Sequence, residues 1–209
     1  MEMLLFDLDC TLYPPENELF SLMGRRISNY IESTLDVRSE QADILREKYL
    51  KEYGLTLIGL MRSNSVNAED YLHYVHDIDI KKFIQPNPKL AYHLKKILIP
   101  KTLFTNSCRY YANRVLSVLC MENCFDHIID IRDMNFFPKP HPNAYKTVLN
   151  KLEISGDNSL IIDDSIDNLD AAKIFNMKTM WVGNGKCPGG IDAHALSPND
   201  IPIQINKLL

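Results

Sequence analysis

Short, mostly apolar runs fall at Met3 to Leu8, Lys101 to Thr105, His127 to Ile131, Leu160 to Asp163 and Lys178 to Val182. Helical stretches lie between the later runs, near Arg109 to Leu119, Pro142 to Leu152 and Ile166 to Phe175. Continuous apolar strands that alternate with helices predict a parallel sheet covered on both faces. The expected fold class is therefore α/β, with a doubly wound parallel sheet.

The segment from Pro15 to Ile84 has a different texture. Phe20, Met23, Ile27, Tyr30 and Ile31 keep helical spacing, as do Leu45, Tyr49 and Tyr53. Ser39 followed by Glu40 reads as the cap of the second helix, and Gly54 as its stop. No strand signal returns until after Asn87-Pro88. The pattern predicts a sheet domain made of residues 1–14 and 85–209, and a small all-helical insert at 15–84 placed after the first strand. Aromatic residues at helical spacing in the insert read as core packing.

Open sheets of this kind form their sites at the carboxyl ends of the strands, at a switch point. Asp7, Asp9, Thr105, Asp163 and Asp164 all fall at such ends. If the chain stays extended after the first strand, Asp7, Asp9 and Thr11 point the same way. Neighbouring carboxylates at the end of a buried strand are costly unless a cation neutralises them or one holds a proton. A metal-assisted reaction at one carboxylate, with the other moving protons, needs that arrangement. A solvated acidic turn needs no such chemistry, and the short motif alone leaves both readings open. The Thr105 hydroxyl likewise suits either an anion or the cap of the next helix. Lys139, held between Pro138 and Pro140, has the restricted backbone that suits positioning.

A net charge of -4 argues against a nucleic-acid surface, since phosphate-backbone binders carry a basic stripe. No window is long and apolar enough for a membrane span, and the immediate first strand leaves no room for a signal peptide. Cys120 and Cys124, four apart on an expected helix, have no His or Cys partner pair to complete a zinc site. Buried free thiols in a reducing compartment are the expectation, and the cytosol the expected location. Cys10 reads as a packing residue.

Four segments occur in a fixed order: Asp7-Leu8-Asp9-Cys10-Thr11, Lys101 to Ser107, Phe136 to Pro142, and Leu160 to Ser165 followed by Asn168. This order of strand-acids, strand-threonine, loop-lysine and strand-acids resembles the haloacid-dehalogenase-like superfamily of phosphohydrolases, subfamily IA, across the whole chain. Thr11-Leu12-Tyr13-Pro14, the run Tyr53 to Leu60 and Val75-His76-Asp77 look closest to its pyrimidine 5'-nucleotidase branch. The resemblance implies a Rossmann-like core with a small helical cap. It makes Asp7 the nucleophile, passing through an aspartyl-phosphate, and Asp9 the acid that protonates the leaving oxygen and later takes a proton from water.

The same resemblance implies Mg2+, held by the Asp7 side chain, the Asp9 backbone carbonyl and the Asp164 side chain, with Asp163 in support. Thr105 and the Asn106 backbone would donate to the phosphoryl oxygens, and Lys139 would balance their charge. Asn168 stands where the family more often has an acid, so it is not counted as a ligand. His141 is adjacent to this loop but is not needed as a base, because Asp9 fills that role. In the insert, Arg62, His73, His76 and Asp77 are candidates for recognising base or sugar, although a histidine in an aromatic helical stretch also reads as a satisfied core residue.

The function expected is a Mg2+-dependent phosphomonoester hydrolase acting on a pyrimidine nucleoside 5'-monophosphate, with the insert supplying the selectivity. One alternative is a phosphatase for a sugar phosphate or another small phosphorylated metabolite. A non-enzymatic binding protein on a hydrolase scaffold is a second. Dehalogenation fits less well, because it has no phosphoryl group to neutralise and needs neither Asp9 nor magnesium. The expected partner is a small phosphorylated metabolite, with no nucleic acid and no membrane.

Overall fold

The computed structural model describes residues 1–15 and 18–209; Glu16 and Asn17 lie outside the described residues. The chain divides into two compact units, Met1–Pro15 with Ile84–Leu209, and Glu16–Phe83.

The first unit is built on strands β1 (Met3–Phe6), β2 (Lys101–Phe104), β3 (His127–Ile129), β4 (Ser159–Asp163), β5 (Lys178–Val182) and β6 (Ala193–Ala195). Among the described residues these form one sheet, ordered β3-β2-β1-β4-β5-β6, with every pairing parallel. Helices α5 (Pro88–Lys96), α6 (Arg109–Val118), α7 (Pro142–Leu152), α8 (Ile166–Lys173) and α9 (Ile201–Leu208) belong to the same unit. Every residue of β1, β2 and β4 is buried, as expected of strands covered on both faces. The fold is an α/β Rossmann-like sheet. Succession runs outward from β1 to β2 and β3, then resumes on its other side with β4, which makes the carboxyl end of β1 the switch point. Phe6 pairs with Leu103 and with Ile162, so Asp7 stands level with Phe104 and Asp163, the last residues of β2 and β4.

Several local expectations need correction. The first strand stops at Phe6, not Leu8, because Cys10 takes a left-handed conformation (φ 62) inside a turn closed by Leu12 N–H to Leu8 C=O. Asp7, Asp9 and Thr11 therefore do not share one face of an extended strand. Cys120 and Cys124 are not on a helix, since α6 ends at Val118 and Cys120 sits in a left-handed turn. The strand β6 and the helices α5 and α9 were not expected, although Asn87 caps α5 and Pro88 opens it.

The second unit holds α1 (Leu19–Leu35), α2 (Ser39–Tyr53), α3 (Thr56–Asn64) and α4 (Ala68–His76). Helix α1 buries Leu19, Met23, Tyr30 and Ile31, while Phe20 is turned outward. The ring of Tyr30 meets that of Tyr71 edge-on at 5.2 Å, so this aromatic spacing is core packing. Gly54 ends α2 in the left-handed conformation (φ 79), as glycine does most easily. Ser39 is the first residue of α2 and not its cap; Arg38 holds that position, and its amide donates to Gln41. Among the described residues no helix is long and apolar enough to cross a membrane.

Candidate active site

The carboxyl end of β1 delivers Asp7 and the carboxyl end of β4 delivers Asp163 and Asp164. Ligand atoms of these three lie within 4.8 Å of one another. The Asp7 amide donates to the Ile162 carbonyl at 2.9 Å, which fixes the two strand ends against each other. Lys139 reaches in from the loop before α7. Its Nζ donates to Asp7 Oδ1 at 2.8 Å and to Asp163 Oδ2 at 2.7 Å, and lies 5.0 Å from the centre of the Phe104 ring. Both Lys139 and Asp163 are buried.

The loop that carries Lys139 is clamped by Asn106. The Asn106 side chain donates to the Lys139 carbonyl at 2.9 Å and accepts from the Lys139 amide at 2.8 Å. Thr105 is buried at the end of β2, where its hydroxyl oxygen accepts from the Ser107 amide at 3.0 Å. It is not the cap of α6, which is Cys108. The two acids of the last motif have different surroundings. Asp163 accepts from Lys139, from the Ser165 amide at 2.9 Å, and from the Asn168 amide group at 3.0 and 3.1 Å. An acid at position 168 would repel Asp163; the asparagine holds it instead. Asp164 is less buried, accepts from the Thr11 hydroxyl at 3.3 Å, and has its backbone carbonyl bonded by the Trp181 indole at 2.9 Å.

Burial pushes the Asp7 carboxyl well above the ordinary range; Lys139 opposes this, while Asp163, Asp164 and Asp9 add to it. Burial, with Asp163 beside it, pushes Asp164 up to about 6. Burial works against the Lys139 ammonium too, but Asp163 and Asp7 outweigh it and hold its pKa above that of free lysine. One ammonium among three clustered carboxylates leaves a surplus of negative charge in a buried place. The all-oxygen donor set of Asp7 and Asp164 with that surplus fits a hard divalent cation.

Asp9 stands outside this cluster. Its Oδ1 accepts from the hydroxyls of Tyr13 at 2.5 Å and Tyr111 at 2.9 Å, and its Oδ2 from Ser107 at 2.8 Å. Of these partners Tyr111 carried no sequence signal, while Tyr13 and Ser107 lie in the quoted motif runs without having been given a role there. Cys10 beside it is no nucleophile: burial first, then Asp164, Asp9 and Asp7, push its thiol up to about 12. His141 is exposed and caps α7, with Nδ1 accepting from the Asn143 amide at 3.1 Å. A cavity of about 590 Å³ beside β3 is lined by Met3, His127 and Glu153 among others, and includes none of these acids.

The insert candidates are spread through the second unit. His76 is buried, with Nδ1 2.9 Å from the Leu72 carbonyl one turn back, so its ring is tied to its own helix. Arg62 and His73 are exposed, and the Arg62 guanidinium lies 5.4 Å from the Tyr53 ring centre.

Comparison with known proteins decides the family, because the haloacid dehalogenase-like hydrolase family matches residues 4–182. The chain belongs to that family. It is 30% identical over 189 residues to phosphate metabolism protein 8 of Saccharomyces cerevisiae, covering 82% of this chain and 58% of that one. The chain thus spans 58% of the length of the yeast relative. It is 27% identical over 213 residues to glyceraldehyde 3-phosphate phosphatase of Pyrococcus abyssi, covering 89% and 83%. Among solved structures, CbbY from Rhodobacter sphaeroides in complex with phosphate superposes with a TM-score of 0.66 at 18% identity, covering 96% of each chain. That identity carries the fold alone.

Proposed function

We propose that this hydrolase cleaves phosphate monoesters through a covalent phosphoryl group on Asp7. The observation that carries the reading is the Lys139 ammonium bridging Asp7 and Asp163 beside Asp164 at the switch point of the sheet. In this reading an Asp7 oxygen attacks phosphorus and the bond from phosphorus to the leaving oxygen breaks. Asp9 gives its proton to that oxygen, then takes one from the water that attacks the aspartyl-phosphate. Thr105, the Asn106 amide and Lys139 donate to the phosphoryl oxygens, where charge accumulates.

Asp7, Asp164 and the Asp9 backbone carbonyl would hold Mg2+, which supplies positive charge at the transferring group when bound. Asp163 already accepts four hydrogen bonds, from the Lys139 ammonium, the Ser165 amide and twice from the Asn168 side chain, so we place it as the support of Lys139 and Asp164 as the closer metal ligand.

These groups read only phosphate, so the leaving group is a separate question. The pyrimidine-nucleotide reading rested on Thr11 to Pro14, Tyr53 to Leu60 and Val75 to Asp77. Thr11 and Tyr13 bond the acids, Gly59 packs against Tyr49, and His76 is tied to its own helix. Each of those signals has a packing or acid-positioning use. The relative from Pyrococcus abyssi favours a second reading, a small sugar phosphate. We therefore assign a small phosphorylated metabolite, with UMP, CMP and glyceraldehyde 3-phosphate as the substrates to compare. Among the described residues no cysteine is joined in a disulfide, which fits a reducing compartment, and we assign the protein to the cytosol.

Turnover of a panel of phosphorylated metabolites, ranked by kcat/KM with and without EDTA, tests the reading. A phosphatase turns over at least one of them and loses that activity to EDTA. A binding protein turns over none.

A further inference from the structure

We propose that Tyr111 and Tyr13, together with Ser107, are positioning residues that orient the Asp9 carboxylate for proton transfer. The inference rests on the reading of Asp9 as acid and base. Asp9 lies in a turn past the end of β1, where no strand ladder limits its side chain. Its orientation is set instead by three hydroxyls. Tyr111 is the third residue of α6, Ser107 lies in the loop between β2 and α6, and Tyr13 follows the turn itself. Asp9 is thereby tied across about a hundred residues of sequence, at separations of 98 and 102 positions.

Packing alone does not explain the two phenols. Both rings are buried, and phenylalanine would fill the same space without a hydroxyl to desolvate. Their oxygens lie 3.3 Å apart and both reach Asp9 Oδ1. An ordinary phenol keeps its proton at neutral pH, so both hydroxyls can donate to Asp9. Oδ1 is thus held by two partners from the interior, while Oδ2 has Ser107 alone among the described hydrogen bonds. The asymmetry assigns Oδ2 as the oxygen that carries the proton. In the first half-reaction the Oδ2–H bond breaks and its proton goes to the leaving oxygen as the phosphorus–oxygen bond breaks. In the second, Oδ2 takes a proton from water as that water's oxygen bonds to phosphorus and the Asp7–phosphorus link breaks. A carboxylate free to rotate spends part of its time out of reach, which lowers turnover without altering phosphate binding.

Leaving-group dependence separates this role from a structural one. p-Nitrophenolate leaves without a proton, whereas the alkoxide of glycerol 2-phosphate needs one. We expect Tyr111→Phe to lower kcat/KM on glycerol 2-phosphate, which reports the step that expels the leaving oxygen, by about 10-fold or more, within the range of a partly lost general acid. The loss on p-nitrophenyl phosphate should be much smaller. In an Asp9→Asn background the same substitution should add nothing. Equal losses on both substrates, or an undiminished loss in that background, would overturn the inference while the phosphatase reading stands. Should Tyr111→Phe fail to fold, Tyr13→Phe and Ser107→Ala carry the same comparison. Should the wild type ignore glycerol 2-phosphate, the alkyl phosphate of the panel that it turns over fastest takes its place; failure on every phosphomonoester, or an Asp9→Asn variant equal to wild type, sinks the parent reading instead.

Discussion

The Nζ of Lys139 lies 2.8 Å from Oδ1 of Asp7, across 132 positions of sequence, and no other cation is bonded to that carboxylate among the described residues. Removing it strands two buried carboxylates, Asp7 and Asp163. Breaking a buried pair from one side typically costs about 3–5 kcal/mol. Lys139→Ala should lower thermal stability by an amount of that order and reduce turnover by at least about 10²-fold, as the loss of one transition-state donor does. Denaturation and steady-state kinetics on the same preparation check both. A variant of unchanged stability would mean that the ammonium does not neutralise these acids.

The two acids at the end of β4 should respond differently to substitution. Asp164→Asn is expected to abolish most Mg2+ binding in calorimetry while leaving the fold intact. Asp163→Asn should keep measurable Mg2+ binding but lose stability, because its new amide group would face the donors of Lys139 and Asn168. Reversal of the two phenotypes would make Asp163 the metal ligand.

Much of this site could be read from sequence, and for a physical reason. Asp7 and Thr105 directly follow fully buried strands and Asp163 ends one, and a run of apolar residues broken by an acid is visible without coordinates. Lys139 was legible through its prolines. The direction of Asp9 was not, because the left-handed Cys10 lies between two motif residues and redirects the chain with no glycine to announce it. Tyr111 was invisible for a different reason: at helical spacing a tyrosine reads as core, and its hydroxyl partner lies 102 positions away. The strand β6 spans only Ala193–Ala195, too short to show an alternation.

The pH dependence follows from Asp164, whose pKa of about 6 in the folded chain exceeds the free value of 3.8. A raised carboxyl favours the folded state when protonated. Its contribution is full below about pH 4 and is lost as pH rises through about 6. In metal-free protein, the Tm of wild type should therefore fall relative to Asp164→Asn over that interval. Mg2+ binds the ionised form, so its stabilisation should grow over the same interval. A wild-type Tm that gained on the variant as pH rose, without metal, would contradict the shift.

Gly59 tests whether the Tyr53 to Leu60 run serves packing or recognition. A Cβ at Gly59 would lie 2.2 Å from Cγ of Tyr49. Gly59→Ala should cost about 1–3 kcal/mol of stability through overpacking. The ratio of kcat/KM between UMP, AMP and glyceraldehyde 3-phosphate should not move. Substitution of the exposed Arg62 or His73 should do the reverse if either reads the leaving group. A changed ratio in Gly59→Ala would return that run to the recognition surface.

The most direct measurement is acid quenching within one turnover, followed by peptide digestion and mass spectrometry. The expected result is a phosphoryl group on the peptide containing Asp7, labile to hydroxylamine, present in wild type and absent in Asp7→Asn. Release of inorganic phosphate by wild type with Asp7 never modified, or with the phosphoryl group on another residue, would contradict the assignment of Asp7 as nucleophile.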